Sequence, residues 1–164
     1  MSHLRVIGID PGSFFCGYGV VELDDNKRIH HLCSGVLEAR KNTTLYRRLG
    51  TLYRGLTEII NIYRPHEAAI EKVFFAKSVK AALSLGHARG IALLAVAEAD
   101  LTLFEYTPNE VKKAVVGYGK ADKAQVQSMI KALLCLKELP SSDSADALAV
   151  ALCHINTMRH HCLK

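Results

Sequence analysis

Apolar residues fall in short, β-branched runs at the start of the chain and change to helical spacing after residue 44. Leu4-Arg5-Val6-Ile7-Gly8-Ile9 ends on Asp10 and is broken by Pro11-Gly12-Ser13, so residues 4–10 are expected as a buried strand. Residues 14–24 and 28–40 read as two further strands, joined through Asp24-Asp25-Asn26-Lys27 into an antiparallel meander. Leu45, Leu49, Leu52, Leu56, Ile59, Ile60 and Tyr63 then share one face of a helix that Pro65 closes. A fourth strand at about 67–73 delivers Glu71. The Ala-rich stretch 78–99 is expected as a helix, in which Gly86 and Gly90 favour close approach to another backbone. A fifth strand, 101–106, leads into Thr107-Pro108-Asn109-Glu110, a capping-box pattern with Pro at the first helical position. Helices near 108–116 and 122–135 follow, separated by Gly117-Tyr118-Gly119, and a last helix runs from Ser142 to about Arg159.

Three strands, helix, strand, helix, strand, helices is the order of an α/β fold with a mixed five-stranded sheet and helices on both faces. The RNase H-like layout has this order, and 164 residues are expected to form it as one domain, 1–164. The formal charge is +5 and the pI near 9.0. That balance is compatible with a polyanionic partner without deciding for one. Five cysteines, odd in number and without a Cys-x-x-Cys pair, read mostly as small hydrophobes. Met1-Ser2-His3-Leu4-Arg5 lacks the apolar segment of a signal peptide, and the uncharged stretch 90–97 is too short to span a bilayer. A reduced, cytoplasmic protein is expected.

Four acids stand where a carboxylate is awkward for stability. Asp10 ends one apolar run and Glu71 ends another, Ala68-Ala69-Ile70. Both lie at C-terminal strand ends, where open α/β sheets place ligands. Asp143 and Asp146 are spaced i, i+3 and project from one face of the last helix. Singly, Asp10 reads equally well as the start of an Asp-Pro-Gly turn, and Asp143 as a charge complementing the helix dipole. Asp146, between Ala145 and Ala147, and Glu71, in an apolar strand, are poorly explained by folding alone. Together the quartet favours a divalent metal site of the kind that serves phosphoryl chemistry.

Gly8-Ile9-Asp10-Pro11-Gly12-Ser13 also suits the first phosphate hairpin of the actin-like ATPases, but no second phosphate loop follows in the chain. The same run with Gly17-Tyr18-Gly19 resembles the opening of RuvC-type Holliday junction resolvases. The resemblance continues through Ile70-Glu71-Lys72-Val73-Phe74, Leu85-Gly86-His87-Ala88-Arg89-Gly90 and Glu105-Tyr106-Thr107-Pro108 with Val111-Lys112. It extends to Val115-Val116-Gly117-Tyr118-Gly119, Lys123-Ala124-Gln125-Val126-Gln127 and Asp143-Ser144-Ala145-Asp146-Ala147-Leu148-Ala149. The motifs cover nearly the whole chain in order. Ser78, Ala81 and His87 depart from the residues frequent in that family.

The resemblance implies a homodimeric endonuclease that nicks two strands of a four-way junction symmetrically, leaving 5′-phosphate and 3′-hydroxyl ends, in recombination and repair. It implies Mg²⁺, two ions per site with Mn²⁺ as a substitute, held by Asp10, Glu71, Asp143 and Asp146. Lys112 and Lys123 take the family's catalytic lysine positions, Phe74 its junction-contacting aromatic, and a branch-migration complex of the RuvA and RuvB type is the implied partner. Around these, Lys72, Lys77, Lys80 and Arg89 form one basic group, and Lys112, Lys113, Lys120, Lys123 and Lys131 another, both expected to meet phosphates. Phe74, a loop aromatic amid lysines, suits stacking on an unpaired base, with Phe75 packing inward. His30-His31 and His160-His161 are expected at the surface and His154 inside. The alternatives are another RNase H-like nuclease acting on RNA or flapped DNA, and a catalytically silent junction-binding protein.

Overall fold

The computed structural model describes residues 3–72 and 78–161. Its elements follow the expected order: strands Leu4–Asp10 (β1), Phe15–Leu23 (β2) and Ile29–Glu38 (β3), helix Leu45–Tyr63 (α1), strand Glu67–Glu71 (β4), helix Val79–Glu98 (α2) and strand Thr102–Tyr106 (β5). Helices Pro108–Val116 (α3), Lys123–Leu133 (α4) and Ser142–His161 (α5) complete it. The sheet order is β3-β2-β1-β4-β5, with β1 antiparallel to β2 and parallel to β4. The mixed five-stranded, RNase H-like arrangement is therefore as expected.

Side-chain alternation along the strands divides the interior into two cores, one on each face of the sheet. Ile7, Ile9, Val20, Ala68 and Ile70 point to the side closed by α1 and α2, where Leu52, Leu56, Ile60, Ala92 and Val96 meet them. Val6, Val21, Ala69 and Tyr106 point to the other side, beneath Val111, Val115, Val126, Ile130, Leu148 and Leu152 of α3, α4 and α5. α5 is apolar nearly all round because it lies between the sheet and two helices, and Ala145, Ala147 and Leu148 are fully buried.

Local chemistry sets the helix ends. Thr107 and Glu110 close the expected capping box at the start of α3, and Asp122 with Gln125 closes a second one at α4. α1 ends on Arg64 in the left-handed region, φ 47°, just before Pro65. His154 is buried as expected, held by the Tyr106 hydroxyl at 2.7 Å and Glu67 Oε2 at 2.6 Å.

α2 differs from expectation in two respects. Counted with Lys80 and Arg89 inside it, the helix is long and apolar enough in composition to cross a membrane. It packs as a domain helix, however, with Ala88, Ala92, Ala95 and Val96 buried. Gly86 and Gly90 approach no backbone among the described residues; a Cβ on either would meet nothing within 4 Å. Val79, Leu83, Gly86, Gly90, Leu94 and Ala97 instead form one exposed stripe along the helix.

Candidate active site

Three elements bring the four carboxylates to one cleft. Asp10 closes β1, Glu71 closes the neighbouring β4, and Asp143 and Asp146 lie in the first turns of α5. Gly8 pairs in register with Ala69, so Asp10 and Glu71, each two residues further on, share the sheet face that α5 covers.

Glycines set how closely that helix approaches. Gly17 is the register partner of Asp10 on β2, and Gly19 that of Gly8. A Cβ on Gly8 would come within 1.9 Å of the Ala147 carbonyl oxygen, and one on Gly17 within 2.1 Å of the Asp143 carbonyl oxygen. On Gly19 it would reach the Leu148 side chain at 2.5 Å. Bare backbone at these three positions seats the start of α5 directly beside Asp10. Sequence reasoning used Gly17 and Gly19 only as marks of resemblance. The available signal was glycine at alternate strand positions around an acid.

The cleft makes ionisation costly. Burial, then Asp146, Asp143 and Glu71, push Asp10 from the ordinary 3.8 to about 7, with partial relief from Lys123. Glu71 is exposed by area at its strand end, yet the protein around its carboxyl, and then Asp146, still raise it, opposed by Lys112 and Lys123. Asp146 is raised chiefly by burial, against the pull of Lys123, whose Nζ lies 3.5 Å from Oδ2. Groups linked in this way titrate together.

A cluster of hard oxygen donors whose charge the cleft disfavours suits a divalent cation, which favours the charged carboxylates. Among the described residues no three such side chains already converge at ligand distance.

Of the predicted basic residues, Lys123 is the first residue of α4 and donates to Ser142 Oγ at 3.2 Å as well as facing Asp146. Lys112, on α3, is close enough to act on Glu71 and Asp146. Lys72, Lys80, Lys113 and Lys120 are exposed. Phe74, Phe75 and Lys77 lie outside the described residues. Arg89 turns inward rather than outward: Nη1 donates to the Glu71 carbonyl at 2.7 Å and Nη2 pairs with Glu105. Its guanidinium braces the strand end that carries Glu71. His30 and His31, bonded to Asp24 and Ser34, are remote from this chemistry.

Comparisons with known proteins converge on one family. A family model described as "Crossover junction endodeoxyribonuclease RuvC" matches residues 6–154. A protein of that description from Geotalea uraniireducens is 50% identical over 154 residues, 94% of this chain and 90% of its own length. The structure of RuvC from T. thermophilus in complex with Holliday junction substrate superposes with a TM-score of 0.90 at 35% identity, covering 97% of each chain. The yeast mitochondrial Holliday junction resolvase Ydc2 shares the fold, with a TM-score of 0.68 at 15% identity over 96% of this chain and 83% of its own.

Proposed function

The chain belongs to the RuvC family of crossover junction endodeoxyribonucleases, and we propose that Asp10, Glu71, Asp143 and Asp146 are the carboxylates with which it cuts. It is a divalent-metal-dependent nuclease acting on junction DNA. The observation that carries the assignment is Asp10, held near 7 by burial and by three acids from two other elements.

Mg²⁺ is the cation the site takes, with Mn²⁺ as substitute, since the donors are carboxylate oxygens. When bound, a pair of such ions supplies activation of a water and neutralisation of the departing 3′-oxygen. The chain's own residues do the rest. Asp10 with Asp143 or Asp146 would hold one cation, and Glu71 would share in holding the second. Lys123, anchored by Ser142, offers its ammonium to charge building on the scissile phosphate, and Lys112 holds the DNA backbone in place. Lys72, Lys80, Lys113 and Lys120 contact flanking phosphates, and the family pattern gives Phe74 the contact with the junction bases, with Lys77 close to it in sequence.

Paired, symmetric nicks with 5′-phosphate and 3′-hydroxyl ends require two sites. The exposed Val79, Leu83, Gly86, Gly90, Leu94 and Ala97 stripe supports a homodimer through α2, since small residues let a second copy's backbone come close. A branch-migration complex of the RuvA and RuvB type is the partner that would deliver the junction. Residues 1–164 act as one nuclease domain, both cores resting on one sheet. The described cysteines are free thiols, which suits the cytoplasm.

A synthetic mobile four-way junction with Mg²⁺ tests the reading. Paired nicks that ligase reseals are expected, and Asp10→Asn or Asp146→Asn should bind the junction without cutting it. Cleavage confined to RNA or flaps, or binding without cleavage by the wild-type chain, would overturn it.

A further inference from the structure

Beside the acids, the β1–β2 connection exposes two adjacent phenyl rings that the catalytic assignment leaves unused. Phe14 and Phe15 are 36% and 38% exposed. They line the same open cleft of about 270 Å³ as Asp10 and Asp143. Neither ring belongs to the two cores, so both leave apolar surface open at the mouth of a carboxylate cluster.

Cations surround these rings. The Arg48 guanidinium lies 4.2 Å from the Phe14 centroid, and Lys41 Nζ lies 5.9 Å from that of Phe15. Arg48 also bonds the Ser13 carbonyl at 3.3 Å and the Thr43 carbonyl at 2.7 Å, tying the connection to the segment before α1. From the other side, Ser84 of α2 donates to Ser13 Oγ at 2.8 Å. The loop is thus held in place while its rings stay open.

The segment behind it is one-sided in charge. Arg40, Lys41, Arg47, Arg48 and Arg54 occur between Ala39 and Thr57 without a single acid. Among the described residues none of the five forms a salt bridge. Exposed aromatic rings backed by unpaired cations are the combination that grips a nucleic-acid strand by stacking and by phosphate contact.

We propose that Phe14, Phe15 and Lys41 form a second DNA-contact surface, which seats the nucleotide next to the scissile phosphate. The rings take an unstacked base, Lys41 takes the backbone phosphate leading away from the cut, and Arg48 is a positioning residue that fixes Phe14. The location, continuous with Asp10 and Asp143, determines which nucleotide is held. The inference rests on the junction-cutting reading for its substrate.

The test uses a four-way junction carrying aminopurine at each position flanking the cut, first in metal-free buffer, so that binding is read without cleavage. The wild-type chain should change the fluorescence at one flanking position. The Phe14→Leu, Phe15→Leu double variant should lose that change and bind about tenfold more weakly. Phe14→Tyr, Phe15→Tyr should keep both, and Lys41→Ala should lower the slope of log affinity against log salt by about 1. Thermal unfolding checks that each variant is folded. No fluorescence change with the wild-type chain, or leucine and Lys41→Ala variants that bind as the wild type does, would overturn the proposal. Addition of Mg²⁺ then separates the two readings: a wild-type chain that changes the fluorescence but makes no nicks refutes the cleavage assignment and leaves the strand contact standing.

Discussion

Gly17 lies under Asp143, so close that a Cβ on the glycine would sit 2.1 Å from the Asp143 carbonyl oxygen. The missing side chain therefore fixes the distance between α5 and the strand pair that carries Asp10. Gly17→Ala must push the helix start away, and backbone cannot yield as a flexible side chain can. We expect about 2–3 kcal/mol lower stability by urea unfolding. We also expect a loss of cleavage larger than the unfolded fraction explains, measured at a temperature where the variant remains folded. Wild-type cleavage by Gly17→Ala would contradict this account of the site.

Asp10 gives the metal-free protein a defined pH dependence. Its carboxyl rises on folding from the ordinary 3.8 to about 7, so the folded state holds the proton more tightly than the unfolded one. The resulting stability is fully present below pH 3.8 and is lost as the pH rises through about 7, by at most about 4 kcal/mol. Asp10→Asn removes that loss, so in EDTA the variant should outlast the wild type at pH 8 and match it near pH 4. Mg²⁺ should raise the wild-type melting temperature more at pH 8 than at pH 5, because binding requires the deprotonated form. A pH-independent difference in melting temperature would count against the coupling.

Arg89 separates bracing from DNA contact. Its two separate nitrogens hold the Glu71 carbonyl and Glu105 at once in a fixed fork that the single nitrogen of a lysine does not reproduce. Arg89→Lys keeps the charge, so a phosphate-contact role would leave activity nearly intact. A bracing role predicts at least tenfold slower cleavage with junction affinity changed by no more than about twofold, read by single-turnover kinetics and by binding without metal.

Leu83 tests the stripe on α2. It is 59% exposed, so Leu83→Glu should alter folding stability by no more than about 0.5 kcal/mol. If a second copy covers the stripe, the substitution buries a charge in the interface and yields monomers by sedimentation. Nicks on opposing strands should then become uncoupled in time. A dimer that survives Leu83→Glu would place the interface elsewhere.

The sequence by itself determined the elements and their order, and singled out the four acids that meet in the cleft. Helical spacing from Leu45 to Tyr63, the break at Pro11-Gly12, and the Thr107–Glu110 box are local patterns, and each formed where the pattern put it. Asp146 and Glu71 stood out because a carboxylate within an apolar run has no local reason to be there. What sequence could not decide was everything set by approach across the fold. Asp10 and Asp143 are 133 positions apart, and only the glycine-lined sheet face brings them together. Arg89 read as one more surface cation until the structure turned it toward Glu71, because a guanidinium's partner is chosen by tertiary distance and not by its neighbours in the chain. Phe14 and Phe15 likewise passed as strand residues, since the exposure of a ring at a strand's first position depends on what packs above it. Periodicity carries information over a few residues, whereas the site depends on contacts over scores of them, and those were decided only when the sheet and α5 closed on each other.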